Sequence, residues 1–235
     1  LMKGKNTISL PLEITAPKLW MPVHWGEQHL YDFTATVQVE NKAVASKTVR
    51  TGLRSVRHIA KEDAYGSSFY FEVNGIPIFA KGSNYIPGEI FTTQQDSAYY
   101  KKIFDDIEGA NMNMVRVWGG GIYENEAFYR EADERGILVW QDFIFACTPY
   151  PSDDAFLSNV TEEAIYNIKR LRNHASLAYW CGNNEILEGL HYWGWDKQYP
   201  KTVMDAWFTG YDKMFRELIP ALVKEYDGTR DYTHG

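Results

Sequence analysis

Cysteine is scarce in this chain: Cys147 and Cys181 are the only two in 235 residues. Two thiols cannot build a disulfide scaffold, and their placement matches no zinc-ligand spacing. Both are expected to serve as small buried apolar residues; a bridge between them is the alternative, since both fall near the ends of neighbouring expected strands. Long apolar runs are also missing. Nothing approaches the about 20 residues that cross a bilayer, and the opening LMKGKNTISL has no signal-peptide core. Neither absence settles the compartment; a soluble protein, of the bacterial periplasm or cytoplasm, is the expectation. Basic runs are absent too, and the formal charge of −7 disfavours nucleic acid as a partner. A neutral ligand fits better. No metal-ligand spacing appears, and Gly119-Gly120-Gly121 lacks both the G-x-G-x-x-G spacing and the downstream acid of a dinucleotide loop. Neither metal nor cofactor is expected.

What is present describes a globular chain able to bury a sizeable core: 45% hydrophobic, 15% aromatic and 23% charged. From Ile8 to Ile59 the apolar residues tend to alternate (Ile8, Leu10, Leu12, Ile14; Phe33, Ala35, Val37, Val39; Val49, Leu53), the period of strands with one buried face. Residues 1–60 therefore read as the rear part of a β-sandwich. The polar stretch Lys61 to Gly66 closes it. Beyond it, strand-like runs at Ile78–Tyr85, Met114–Trp118, Ile137–Phe145 and Leu177–Cys181, with a last candidate at Tyr232, take turns with four helical stripes. The stripes are Tyr100/Ile103/Phe104/Ile107, Phe128/Tyr129/Ala132, Leu157/Val160/Ala164/Ile168/Leu171 and Met204/Trp207/Phe208/Tyr211/Phe215/Leu218. Such alternation means right-handed βαβ units around a parallel sheet.

Of the two parallel architectures, the eight-stranded barrel fits better than the doubly wound sheet. Polar and aromatic residues gather after successive strands: Asn84 and Tyr85, Arg116 and Trp118, Asp142, then Asn184 and Glu185. Several strand ends feeding one mouth is what a barrel active site requires. Three consecutive glycines after Trp118 let a backbone pass close to a ligand or a neighbouring strand. The segment LAYWCGNNE, Leu177 to Glu185, admits two readings by itself. It delivers a carboxylic acid at a strand's mouth with amides beside it, or it opens a helix with Asn183 or Asn184 as cap and Glu185 in the first turn.

In order along the chain, KTVRTGLRSV, FYFEVNGIPIFAKGSNYIP, RVWGGGIYE, VWQDFIFAC and WCGNNEILEGLHYWGW resemble the β-mannosidases of glycoside hydrolase family 2. LWMPVHWGEQHLYDFTATV is similar to the end of the family's immunoglobulin-like domain. The resemblance implies a partial immunoglobulin-like β-sandwich over 1–60, then the first half of a (β/α)8 TIM barrel, strands 1 to about 5, over 66–235. It implies a retaining exo-β-mannosidase that removes terminal β-mannose from manno-oligosaccharides or glycans with two carboxylates and no cofactor. Another family 2 specificity (β-galactosidase, β-glucuronidase or exo-β-glucosaminidase) and a non-catalytic carbohydrate-binding relative are the alternatives.

By the same resemblance Glu185 is the general acid/base and Asn184 binds the substrate 2-hydroxyl, while Asn183 holds the loop and Glu188 is structural. Arg116 would lie beside the nucleophile and favour its ionised form, or form a structural ion pair. Trp118 and Trp193 correspond to sugar-contacting aromatics. Asp142 either binds a hydroxyl or braces the site, and Asn84 and Tyr85 are the remaining substrate-binding candidates. Tyr85 stands where these enzymes often carry Trp. The family's nucleophile, a Glu ending the seventh barrel strand, has no counterpart in this chain, nor does its N-terminal sandwich. An internal piece without activity of its own is therefore expected. A homodimer is an expectation on general grounds only.

Overall fold

A computed structural model describes Gly4 and residues 6–235. A long antiparallel ribbon comes first, β1 (Tyr31–Val39) paired with β2 (Lys42–Thr51). Its alternation is real, yet Val37, Val39 and Val44 stay exposed, and the expected strand around Ile8, Leu10 and Leu12 is absent, those side chains being exposed as well. Alternating residues form sheet only where a partner strand supplies the ladder, and none lies against this segment among the described residues.

A second antiparallel sheet, missed in the sequence pattern, follows: β3 (Val56–Ile59), β4 (Tyr70–Val73) and β5 (Ile76–Ile78). The turn between β4 and β5 is Asn74-Gly75, both at positive φ, the arrangement of a two-residue hairpin. The expected strand Ile78–Tyr85 is thus two elements. Its first residue ends β5, and its last four form β6 (Gly82–Tyr85). Between them Asn113 holds the chain, its carboxamide accepting from Lys81 N at 2.7 Å and donating to the Phe79 carbonyl at 2.9 Å.

From β6 onward strands and helices alternate. Helix α1 (Ser97–Gly109) leads to β7 (Met114–Val117), α2 (Glu126–Arg135) to β8 (Leu138–Asp142), and α3 (Asp154–Leu171) to β9 (Leu177–Cys181). Asp96, Asn125 and Asp153 cap α1, α2 and α3 by accepting a backbone N–H of the first turn, and Gly136 ends α2 in the left-handed conformation. Beyond β9 come α4 (Ile186–Tyr192), α5 (Lys201–Tyr211), a π-helical turn (Asp212–Leu218), α6 (Ile219–Tyr226) and β10 (Asp231–Thr233). The long stripe from Met204 to Leu218 is therefore not one regular helix. Pro220 has no N–H to give to the carbonyl four residues back, and the chain widens just before it.

Strands β6 to β10 form one parallel sheet in the spatial order β10-β9-β8-β7-β6. Every strand neighbours its predecessor and the order never reverses, so the sheet is not doubly wound. Among the described residues it does not close into a barrel. Val115, Val117, Val139, Leu177 and Trp180 pack against the helices. On the opposite side Met114, Leu138, Ala178 and Tyr179 meet Val56, Phe71, Val73 and Ile78 of the small sheet. Fully burying each such side chain is worth about 1.5–3 kcal/mol. The amino-terminal half of this inner surface is plugged with apolar groups, and its carboxyl-terminal half is left for polar ones. No described helix is long and apolar enough to cross a membrane.

Candidate active site

The polar groups of the inner surface converge on Arg116, on β7. Its guanidinium grips Asp142, at the end of β8, with both prongs: Nε to Oδ1 at 3.1 Å and Nη2 to Oδ2 at 2.7 Å. Asp142 is fully buried, and Trp140 Nε1 at 2.9 Å on Oδ1 and Gly119 N at 3.0 Å on Oδ2 donate to it as well. Burial pushes the Asp142 carboxyl up; the Arg116 hydrogen bonds and charge and the Gly119 N–H work against it. With donors on both oxygens, the shell is built for a carboxylate acceptor rather than for an O–H. Of the two roles expected for Asp142, brace or hydroxyl binder, these contacts are all with groups of the chain itself.

Arg116 also fixes the amides. Nη2 donates to Asn184 Oδ1 at 3.0 Å, and Nη1 reaches Asn84 Oδ1 at 3.4 Å. The first bond decides which way the Asn184 carboxamide faces: its oxygen is taken, so its NH2 is the group left for a ligand. That NH2 lies 3.5 Å from Cys147 Sγ.

Strand β9 is buried along its whole length. At its end Gly182 fits where a side chain could not, because a Cβ would come within 2.3 Å of Tyr232 Oη and 2.6 Å of the His234 carbonyl. Asn183 and Asn184 are buried, then Glu185 emerges into solvent. Glu185 is left-handed, at φ 59° and ψ 13°, immediately before α4, and makes no side-chain capping bond. The cap is Asn183 instead, whose Oδ1 accepts from Ile186 N at 3.1 Å. The two readings of the segment thus divide between its residues. One amide opens the helix, and the carboxylate is left free of that duty.

Glu185 Oε2 sits 3.8 Å from Cys147 Sγ. Cys147 is itself left-handed at φ 58°, and its N–H bonds the Asn184 carbonyl at 3.0 Å. Its part in the site has no sequence signal, since it depends on a single parallel bridge between Ala146 and Asn184. Both cysteines are free thiols. Burial pushes the Cys181 thiol up to about 12, in keeping with a small apolar filler.

Trp118 follows β7 and is half-buried, with Gly120 folded onto its indole so closely that a Cβ there would lie 2.0 Å from the ring. A Cβ on Gly119 would strike the Phe145 carbonyl at 2.5 Å, so this part of the glycine run serves passage beside a neighbouring strand end. Trp193 caps the carboxyl end of α4, 42% exposed and edge-on to Trp195 at 5.5 Å. Tyr85 departs from its expected role as a substrate contact. Its side chain lies on the helix side of the sheet, 7% exposed and 5.1 Å from the Phe128 ring, because adjacent strand residues face opposite ways and Asn84 takes the inner one.

A cavity of about 380 Å³ opens on the inner surface below Arg116, walled by Phe69, Phe71, Met114 and Trp140, with Asn84 and Arg116 at its polar end. Among the described residues no three His, Cys, Asp or Glu side chains gather as a metal ion would need. Of the other buried acids, Glu124 lies away from this mouth, hydrogen-bonded to the Tyr100 hydroxyl of α1.

Fold and site together describe a singly wound parallel β/α protein whose polar groups meet at the carboxyl ends of its strands. Residues 1–54 match the model of glycosyl hydrolases family 2. Beta-mannosidase A of Aspergillus oryzae is 41% identical over 229 residues, 93% of this chain and 24% of its own length. Beta-mannosidase of Capra hircus is 36% identical over 237 residues, 99% of this chain and 27% of its own. The crystal structure of beta-D-mannosidase from Dictyoglomus thermophilum superposes with a TM-score of 0.87 at 42% identity, over 95% of this chain and 27% of that one. The chain belongs to glycosyl hydrolase family 2. It spans about a quarter of the length of the curated relatives it matches.

Proposed function

We propose that this chain carries the acid/base half of a retaining exo-β-mannosidase active site, acting on terminal β-mannose of manno-oligosaccharides or glycans. In this reading residues 1–60 are the rear of an immunoglobulin-like sandwich, and 66–235 supply the first five strands of a (β/α)8 barrel. The observation that carries it is the placing of Glu185. It is an exposed carboxylate at the mouth of a buried strand, next to an amide whose orientation Arg116 dictates. Likeness to beta-mannosidases across nearly the whole chain supports the sugar.

A glycosidic oxygen leaves poorly, so Glu185 protonates it as the bond breaks and afterwards takes the proton of the attacking water. The Asn184 NH2 meets the axial 2-hydroxyl of mannose, and Trp118 and Trp193 offer faces to the ring's C–H side. Retention requires a second carboxylate about 5–5.5 Å from the first. Asp142 is saturated and Glu124 lies elsewhere, so the nucleophile is a carboxylate outside these residues. Arg116 Nη1, with its one long contact to Asn84, is free to meet it.

The test is Glu185→Gln in the full-length protein, read as kcat/KM. Loss of general acid catalysis costs roughly 10²–10⁴-fold on β-mannosides with poor alkyl leaving groups and far less on a dinitrophenyl β-mannoside. Equal losses on both would remove Glu185 from the acid role.

A further inference from the structure

Glu185 occupies a backbone conformation that a side-chain-bearing residue adopts only when its surroundings impose it. Three contacts on its flanks do so. The Asn184 N–H bonds the Phe145 carbonyl at 2.9 Å, the Cys147 N–H bonds the Asn184 carbonyl at 3.0 Å, and Asn183 Oδ1 holds Ile186 N. The first two tie the loop to the end of β8. The third depends on how the Asn183 carboxamide is itself held.

That carboxamide is 1% exposed, and its orientation is determined: Oδ1 is an acceptor, so Nδ2 is the donor. Nδ2 donates to the His234 carbonyl at 2.5 Å and to Tyr211 Oη at 3.3 Å. Tyr211, 3% exposed at the end of α5, then has its own proton to give, and His234 Nδ1 lies 2.7 Å away. The bonds run one way: Asn183 N–H to the Tyr211 hydroxyl, and the Tyr211 O–H to a neutral His234 ring protonated on Nε2. The members come from three places, the mouth of β9, the end of α5 and the residue after β10. Their side-chain bonds run among themselves and to the backbone, whereas the side-chain contact of the Glu185 carboxylate is Cys147 Sγ.

We propose that Tyr211 and His234 are positioning residues for the general acid, acting through Asn183 to hold Glu185 in its left-handed conformation and aim its carboxyl at the leaving group. This rests on the acid role of Glu185 given above. It adds that the acid's aim is set from the end of α5 and from the residue that follows the fifth strand of the parallel sheet.

The experiment uses the full-length protein with two substrates, an alkyl β-mannoside and a dinitrophenyl β-mannoside, compared as kcat/KM. Tyr211→Phe keeps the ring and removes the hydroxyl. It is expected to lower kcat/KM on the alkyl substrate roughly tenfold, since a small displacement of a catalytic group is costly, and to leave the dinitrophenyl value within about twofold. His234→Leu, which leaves the tyrosine without its acceptor, should show the same split should Tyr211→Phe fold poorly. Equal losses on both substrates, or no loss on either, in the folded variants would overturn the proposal. Glu185→Gln is measured alongside. A split there without one in Tyr211→Phe and His234→Leu overturns positioning alone. No split in Glu185→Gln overturns the acid role, and the positioning proposal with it.

Discussion

Arg116 holds together four of the site's side chains: Asp142 by two bonds, Asn184 and Asn84 by one each, and Trp140 through its indole face at 5.7 Å. A lysine there would keep the charge and lose the fork. Removing the arginine leaves Asp142 as a buried charge without its counter-ion, and breaking such a pair costs about 3–5 kcal/mol. Arg116 retains some solvent contact, so the lower end applies. Arg116→Ala is expected to lower unfolding free energy by about 3 kcal/mol in urea denaturation of the full-length protein, while Asn84→Ala stays within about 0.5 kcal/mol. A near-neutral Arg116→Ala would mean that Asp142 takes up a proton instead. That Arg116, Asp142, Asn184 and Glu185 belong together was legible in their shared place after successive strands. Tyr85 obeyed the same positional rule and went to the other face, because the side of a strand alternates with every residue and the run Ile78–Tyr85 hid where β6 begins.

At the scale of elements, α2 is clamped to the start of β9. His174, just before that strand, contacts Asp133 Oδ2 at 2.7 Å and Glu126 Oε2 at 3.3 Å, both from α2, while Asp133 Oδ1 also accepts from Ser176 N and Oγ. Burial opposes a charge on His174, but the hydrogen bonds to Asp133 and Glu126 outweigh it and raise the imidazole to about 9. The His174 hydrogen bond, countered in part by burial and joined by Arg170, lowers Glu126 to about 2. A histidine raised on folding stabilises fully below its unfolded value near 6.5 and loses that contribution as pH rises through about 9. The depressed Glu126 contributes above about 4.5 and is lost as pH falls toward 2. The melting temperature should therefore fall between pH 6.5 and 9, and His174→Gln should flatten that limb; a His174→Gln profile parallel to the parent's would remove the clamp. Caps and stripes made α1, α2 and α3 readable from Asp96, Asn125 and Asp153. The π-helical turn was not, since Met204 to Leu218 keeps a helical period through a change that Pro220 imposes from outside it. At Gly182 the packing of β9 on the segment after β10 leaves no room for a methyl, so Gly182→Ala should cost about 1–3 kcal/mol, seen as a drop in melting temperature.

Taken whole, the molecule has one face finished and one face open. The helices cover the outer side of the parallel sheet, while on the inner side only the amino-terminal part is plugged, by β3, β4 and β5. That plug escaped the sequence reading because its strands are three or four residues long, too short for a period to show. Strands β6 and β10 are the two edges of the sheet, and free edges with exposed aromatic groups favour association. A polypeptide of residues 1–235 alone is expected to elute as multimers in size-exclusion chromatography with light scattering, and to turn over no aryl β-mannoside. A stable active monomer would contradict the assignment of the nucleophile elsewhere. Glu185 acting as acid/base and Glu185 acting as nucleophile lead to different products. With Glu185→Ala in the full-length protein and a dinitrophenyl β-mannoside, added azide should restore turnover and yield β-mannosyl azide, the anion attacking the glycosyl-enzyme where deprotonated water no longer can. Formation of α-mannosyl azide would instead make Glu185 the nucleophile, and no rescue at all would leave it without either role.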